Sequence, residues 1–327
     1  MTEQVAPNGL LRHLITLDGL DRQRIEQLLA RARYYLAERG RQAPRDASLR
    51  GFTVANLFFE ASTRTRASFE LAAKRLEAEV LNLDVNTSSR AKGESILETI
   101  YTLEAMHIDN FVVRDASTGI PDLIANAVAP DICVLNAGES DTAHPTQGLL
   151  DLLTIQLHKG DISNLCVAIT GDIRHSRVAR SAARALELFD VGELRFVGPE
   201  EFLPPAQEFP KAGRFSELDA GIRQADVIMA LRIQKERFEQ TSSIPDSEEY
   251  FREFGLTEQR LKAAKSDAII MHPGPMNRGT EIDSKVADSA QSVIREQVAN
   301  GVAVRMAVLV QVAEYIRAWR AATYEYA

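Results

Sequence analysis

Thr53-Val54-Ala55-Asn56-Leu57-Phe58-Phe59-Glu60-Ala61-Ser62-Thr63-Arg64-Thr65-Arg66 carries an apolar run directly into a cluster of hydroxyls and guanidiniums. Residues 54–59 read as a buried strand and the cluster as the opening of a helix. A helix's first turn leaves backbone N–H groups unpaired, and its dipole favours negative charge there. Ser62, Thr63, Arg64 and Thr65 at that place complete a pocket for a phosphate. An ordinary N-cap with a charged, solvated first turn is the plainer alternative. Three hydroxyls and two guanidiniums in five residues favour the phosphate.

Working outward, the same alternation repeats along the chain. Residues 21–38 place Ile25, Leu28, Leu29, Ala32 and Leu36 on one helical face. Short buried strands are expected at 80–85, 111–113 and 132–135. Between them Phe69, Ala72, Leu76 and Val80 keep helical spacing, as do Ile96, Ile100 and Leu103. A second set runs through a strand at 165–170, a helix at 178–189, and strands at 194–197, 227–231 and 268–271. Strand and helix in alternation give parallel sheets covered on both faces. The fold expected is therefore α/β, two doubly wound parallel-sheet domains with the active site in the cleft between them. The division falls near His144-Pro145, where a helix over 146–158 leads onward, and a last helix after Asn300-Gly301 returns to the first half. Residues 1–145 plus 301–327 and residues 146–300 are the two expected domains, with loops at 200–211 and 240–249.

Bulk properties narrow the class. Of 327 residues, 45% are hydrophobic and 26% charged, a soluble globular composition. A formal net charge of -8 argues against nonspecific nucleic-acid binding. No window of about 18 uncharged apolar residues is present, so no membrane span is expected. The apolar stretch 302–319 is broken by Arg305, Gln311, Glu314 and Arg317, and residues 1–10 lack a secretion signal. Cys133 and Cys166 have no partner at metal-ligand or redox spacing and read as buried free thiols in a reducing cytoplasm.

Further polar segments follow the other strands. Arg114 ends the run Phe111-Val112-Val113, suited to an anion or a developing oxyanion, or simply a capped strand end. In His144-Pro145-Thr146-Gln147 an imidazole and an amide three apart can face one small polar ligand, although a plain helix start has the same form. Gly171-Asp172-Ile173-Arg174-His175-Ser176-Arg177 has one glycine, too few for a dinucleotide turn, but its arginines suit a second anion. This removes a dinucleotide-dependent oxidoreductase from consideration. Alternation places Arg232 and Gln234 on one side of the next strand end, and His272-Pro273-Gly274-Pro275 forms a rigid turn whose carbonyls can face a ligand. Thr87-Ser88-Ser89-Arg90-Ala91-Lys92-Gly93-Glu94 alone reads as a basic surface loop.

Together these segments resemble the aspartate/ornithine transcarbamoylase family, in order and spacing, from about residue 11 to residue 309. Residues 59–66 and 144–147 match both branches; residues 232–234 match the aspartate branch. The resemblance implies an enzyme that transfers the carbamoyl group of carbamoyl phosphate to the amine of L-aspartate, a step of pyrimidine (UMP) biosynthesis, needing no metal or organic cofactor. It implies that Ser62, Thr63, Arg64 and Thr65 cradle the phosphate, and that Arg114, His144 and Gln147 hold the carbamoyl end. Ser88 and Lys92 match a loop that reaches a neighbouring subunit's site, implying a homotrimer with shared sites. Arg177, Arg232 and Gln234 match the aspartate-binding positions, with Lys92 and the turn Pro273, Gly274 and Pro275. Glu60 matches a residue that pairs across the domains on closure with the equivalents of Arg177 and Arg237. Gly274 and Met276 depart from relatives that carry Leu and Arg there, shifting an anion contact towards Arg278. This variant turn resembles that of bacterial enzymes without a zinc-bearing regulatory chain, some of which associate with a dihydroorotase-like protein. Another amine such as ornithine, or a catalytically silent scaffold, are the alternatives. Two guanidiniums would repel the cation of ornithine, and a scaffold has no need of an intact cluster.

Overall fold

The computed structural model describes residues 2–38, 40–83, 95–234 and 246–324. It divides into two compact units, Met1–Leu149 with Ala299–Ala327, and Leu150–Val298. The first unit holds α1 (Arg22–Tyr34), β1 (Thr53–Phe58), α2 (Thr63–Arg75), β2 (Glu79–Leu83), α3 (Ile96–Glu104), β3 (Asn110–Asp115), α4 (Ile120–Ala127), β4 (Cys133–Glu139) and the start of α5 (Pro145–Lys159). Among the described residues its sheet has the order β2-β1-β3-β4, and every neighbouring pair is parallel. Ala55 and Leu57 of β1, and Phe59 just beyond it, alternate onto one face, where they join Phe111, Val113, Val134, Ile100 and Ile124 in a core.

The chain leaves α1 earlier than the apolar spacing to residue 38 implies. Tyr35 is buried, and its hydroxyl donates to Asp46 at 2.6 Å in the segment before β1. Val80, spaced as a helical residue after Phe69, belongs instead to β2, because α2 stops at Arg75. Strand β4 continues past the apolar run through Asn136, Ala137 and Gly138 to Glu139, all buried.

His13 is fully buried in this unit and its Nδ1 accepts the Val134 N–H at 3.0 Å. Burial, reinforced by Arg12, lowers its pKa to about 3. The unfolded chain binds a proton near pH 6.5 and the folded chain does not until about pH 3. Stability is thus fully present above pH 6.5 and falls as pH drops towards 3, by about 1.4 kcal/mol per pH unit at most. Urea unfolding at several pH values checks this. His13→Asn, which keeps an acceptor for Val134, is expected to flatten the slope; an unchanged slope would remove His13 from the acid response.

The second unit contains the end of α5, then β5 (Cys166–Thr170), α6 (Arg177–Leu188), β6 (Glu193–Val197), β7 (Gly213–Phe215), α7 (Leu218–Gly221), β8 (Val227–Ala230), α8 (Ser247–Phe254), β9 (Ile269–Met271), α9 (Ser284–Ala287) and the start of α10 (Ile294–Tyr324). Its described strands are parallel in the order β7-β6-β5-β8-β9. Ala168, Val197, Ile228, Ala230 and Ile270 form the centre of its core, with Phe202, Tyr250 and Phe254 packed on them.

Part of the segment expected to be a loop at 240–249 is helical. Asp246 caps α8 by accepting the Glu248 N–H at 3.2 Å, and Glu248 and Glu249 suit the positive end of the helix. The last helix also begins before Asn300-Gly301 and runs through both, which are buried. A glycine inside a helix costs about 1 kcal/mol. Packing of Ala303, Val304, Met306, Ala307 and Val308, each at most 2% exposed, outweighs it. By length and composition α10 is apolar enough to cross a membrane, but 89% of that window is buried, as befits a core helix.

Candidate active-site clusters at the strand ends

In the first unit the chain order of the sheet reverses between β1 and β3, and loops diverge from their carboxyl ends. Such reversals leave a crevice where α/β sheets bind ligands. Ser62 occupies the N-cap of α2 with extended backbone, yet its side chain makes no capping bond. The helix closes first with Arg66 N–H to Ser62 O at 3.2 Å, so the amides of residues 63–65 precede the ladder. Thr63 and Arg64 are exposed, Ser62 is half-buried, and Thr65 is buried.

Arg114 belongs to β3, paired in register with Phe58, and its carbonyl accepts the Phe59 N–H at 2.9 Å. Its guanidinium is buried, donating to Ala137 O at 3.2 Å and lying 3.3 Å from the Glu60 carboxylate. The β1, β3 and β4 ends are therefore tied together through one side chain. Glu60, matched by resemblance to a partner of Arg177 and Arg237, has this contact within its own unit.

After β4 a loop turns back to α5. Glu139, buried, accepts the Gly119 N–H at 3.0 Å, the Thr142 hydroxyl at 3.1 Å and the Asn136 amide at 3.2 Å. This scaffold places His144 at the head of α5, its carbonyl accepting from the Gln147 and Gly148 amides at 2.9 and 3.2 Å. His144 and Gln147 are both buried, at 3% and 9% exposure. Between them the Thr146 hydroxyl is buried with no hydrogen-bond partner among the described residues. The first cluster thus combines helix-start amides, hydroxyls, a buried guanidinium and a buried imidazole, a set suited to a phosphoryl compound bearing a carbonyl.

In the second unit the order reverses between β5 and β8. Gly171 leaves β5 at φ +117°, and a Cβ built there would lie 2.6 Å from Leu231 O. Only glycine permits that approach. Asp172, fully buried, accepts from His175 Nδ1 at 2.8 Å and His175 N at 3.3 Å with one oxygen. Its other oxygen accepts the Gln234 N–H at 3.3 Å, and the Gln234 amide donates to His175 O at 3.0 Å. The sequence motif contained Asp172, but only its burial between two strand ends reveals its part as a strut.

Arg177 opens α6 and is 5% exposed, behind Ser176, whose hydroxyl accepts the Ala179 N–H at 3.1 Å. Arg232 and Gln234 are half-buried, on either side of the buried Ile233. Pro273 and Gly274 are half-buried and Pro275 exposed, in the turn after β9. Arg278 is committed to Asp288, at 2.7 and 3.0 Å, and to Ser284 O. Met276 packs on the core. The second cluster offers guanidiniums and an amide beside a turn. Ser88, Lys92 and Arg237 lie outside the described residues.

Comparisons with known proteins match two models of one family in succession along the chain. Residues 12–157 match the family model described as aspartate/ornithine carbamoyltransferase, carbamoyl-P binding domain. Residues 163–312 match the model of the Asp/Orn binding domain of the same family. The catalytic subunit of aspartate transcarbamoylase from M. jannaschii is 33% identical, with 93% of this chain and 98% of that chain covered and a TM-score of 0.78. Aspartate transcarbamoylase from Trypanosoma cruzi, solved with carbamoyl phosphate and aspartate, is 28% identical over 94% and 99%, with a TM-score of 0.81. An ornithine carbamoyltransferase from Thermus thermophilus, 23% identical over 93% and 99%, shares the fold with a TM-score of 0.81.

Proposed function

We propose that this chain, which belongs to the aspartate/ornithine carbamoyltransferase family, transfers the carbamoyl group of carbamoyl phosphate to the amine of L-aspartate. The reading rests above all on where the two clusters stand, each flanking the strand-order reversal of its own sheet. Ser62, Thr63, Arg64 and Thr65 take the phosphate. As the amine attacks, the carbonyl oxygen gains negative charge, which Thr65, Arg114 and His144 stabilise, with Gln147 beside them. Negative charge builds as well on the leaving phosphate, which sits among the amides at the start of α2 and itself takes the amine's proton. Arg177, Arg232 and Gln234 receive the two carboxylates of aspartate, and the carbonyls at Pro273 and Gly274 receive its amine.

The product would then feed pyrimidine synthesis. Ser88 and Lys92 would serve a neighbouring site in a trimer; a monomer by sedimentation would end that part of the proposal.

Rates with aspartate and with ornithine, each with carbamoyl phosphate, test the substrate. Aspartate is expected to react and ornithine not. Arg232→Met is expected to raise the aspartate KM roughly thirtyfold, the loss of about 2 kcal/mol for a charged hydrogen bond, with carbamoyl phosphate unaffected. Preference for ornithine, or no reaction with either amine, would overturn the reading.

A further inference from the structure

The turn after β9 is built around one buried imidazole. His272 is 0% exposed and both ring nitrogens are engaged. Nδ1 lies 2.8 Å from the Gly274 N, which can only donate, so Nδ1 is the acceptor. The ring proton therefore sits on Nε2, and it is given to Glu281 Oε1 at 3.1 Å. Glu281, 2% exposed, also accepts the Asn277 N–H through that oxygen. Behind the ring, the His272 N–H donates to Gln297 Oε1 at 3.0 Å, and Gln297 donates to Asp151 Oδ1 at 2.7 Å.

These bonds have a directional consequence. In a planar trans peptide the N–H of one residue and the C=O of the residue before it point opposite ways. Fixing the Gly274 N–H on the imidazole therefore aims the Pro273 carbonyl away from the ring. Fixing the Asn277 N–H on Glu281 aims the Met276 carbonyl in the same manner. Carbonyl oxygens accept; they draw an amine and repel a carboxylate. A turn that presents aimed carbonyls reads the amine of a substrate, while guanidiniums elsewhere read its acid groups.

We propose that His272 and Glu281 are positioning residues for the substrate amine: Glu281 orients the His272 ring, and the ring sets the direction of the Pro273 carbonyl. The proposal deepens the aspartate reading above and rests on it. Neither side chain needs to touch substrate.

Initial rates at saturating carbamoyl phosphate, with aspartate as substrate and succinate as a competitive inhibitor, test it in the full-length protein. Succinate keeps both carboxylates and lacks the amine. Glu281→Gln removes the charge that holds Nε2–H; His272→Asn keeps an acceptor for Gly274 and removes the bond to Glu281. Both variants are expected to raise the aspartate KM about tenfold while the succinate Ki stays within about twofold. A purely structural role would weaken both compounds together and overturn the proposal, as would an unchanged aspartate KM in either variant that folds. Should the wild-type protein carbamoylate a different amine, the substrate reading fails on its own. The same comparison, made with that amine and its deamino analogue, then decides the role of His272 and Glu281.

Discussion

Arg114→Met is expected to lower turnover by about a hundredfold or more, on the order of 3 kcal/mol of lost transition-state stabilisation. The side chain is only 10% exposed and is held between Ala137 O and Glu60 at 3.2 and 3.3 Å, so its charge is fixed before substrate arrives. A donor that needs no reorganisation at the moment of reaction is worth most where water is excluded. Folding should suffer little by comparison. The partner left behind, Glu60, has a side chain 30% exposed, and water can solvate its carboxylate. Methionine fills much of the vacated space with flexible apolar atoms. Turnover at saturating substrates and a thermal melt separate the two effects. A turnover within about threefold of wild type would take Arg114 out of the chemical step.

Gly171→Ala is expected to destabilise the second unit strongly, since a positive φ and a backbone clash coincide at that position. The residue sits at φ +117°, and its Cβ would meet Leu231 O at 2.6 Å and Leu231 Cβ at 3.2 Å. Backbone strain of this kind costs about 1–3 kcal/mol. The clash is with backbone rather than a flexible side-chain tip, so β5 and the segment after β8 must separate. A total loss of about 3 kcal/mol would lower Tm by roughly 6–12 °C in a unit of this size. Asp172 bonds to Gln234 across the same junction, so aspartate binding should weaken more than carbamoyl phosphate binding. Gly279→Ala is the control, since that glycine has φ +81° but nothing within 4 Å of a built Cβ. Equal losses for the two variants, within about 0.5 kcal/mol, would show that conformational strain alone is responsible and that the close approach is unimportant.

How far the sequence carried the reading depended on range. Buried parallel strands are short apolar runs, so β1, β5 and β8 stood out, as did the amphipathic face of α1. Strand β7 was not legible: Gly213-Arg214-Phe215 is three residues at a sheet edge, none of them buried. Nor was the early start of α10, where local propensity at Gly301 gives way to packing that only the tertiary structure supplies. The polar residues following the strands were visible because a parallel sheet gathers its carboxyl ends on one side. The struts beneath them were not. Asp172, Glu139 and Glu281 are ordinary acidic residues in the sequence, and their meaning lies in burial and in bonds to segments up to 62 positions away.

Cys133 and Cys166 are both buried and free. Loss of water around the sulfur pushes the Cys166 thiol up to about 12, and raises Cys133 as well. Maleimides and related dyes attack the thiolate, so near neutral pH the native chain is silent to them. A cysteine introduced at an exposed position, such as Gln27 in the first unit or Lys211 in the second, would therefore carry the sole fluorophore or spin label. Spectroscopy on either unit can begin without first stripping the protein of its own sulfhydryls.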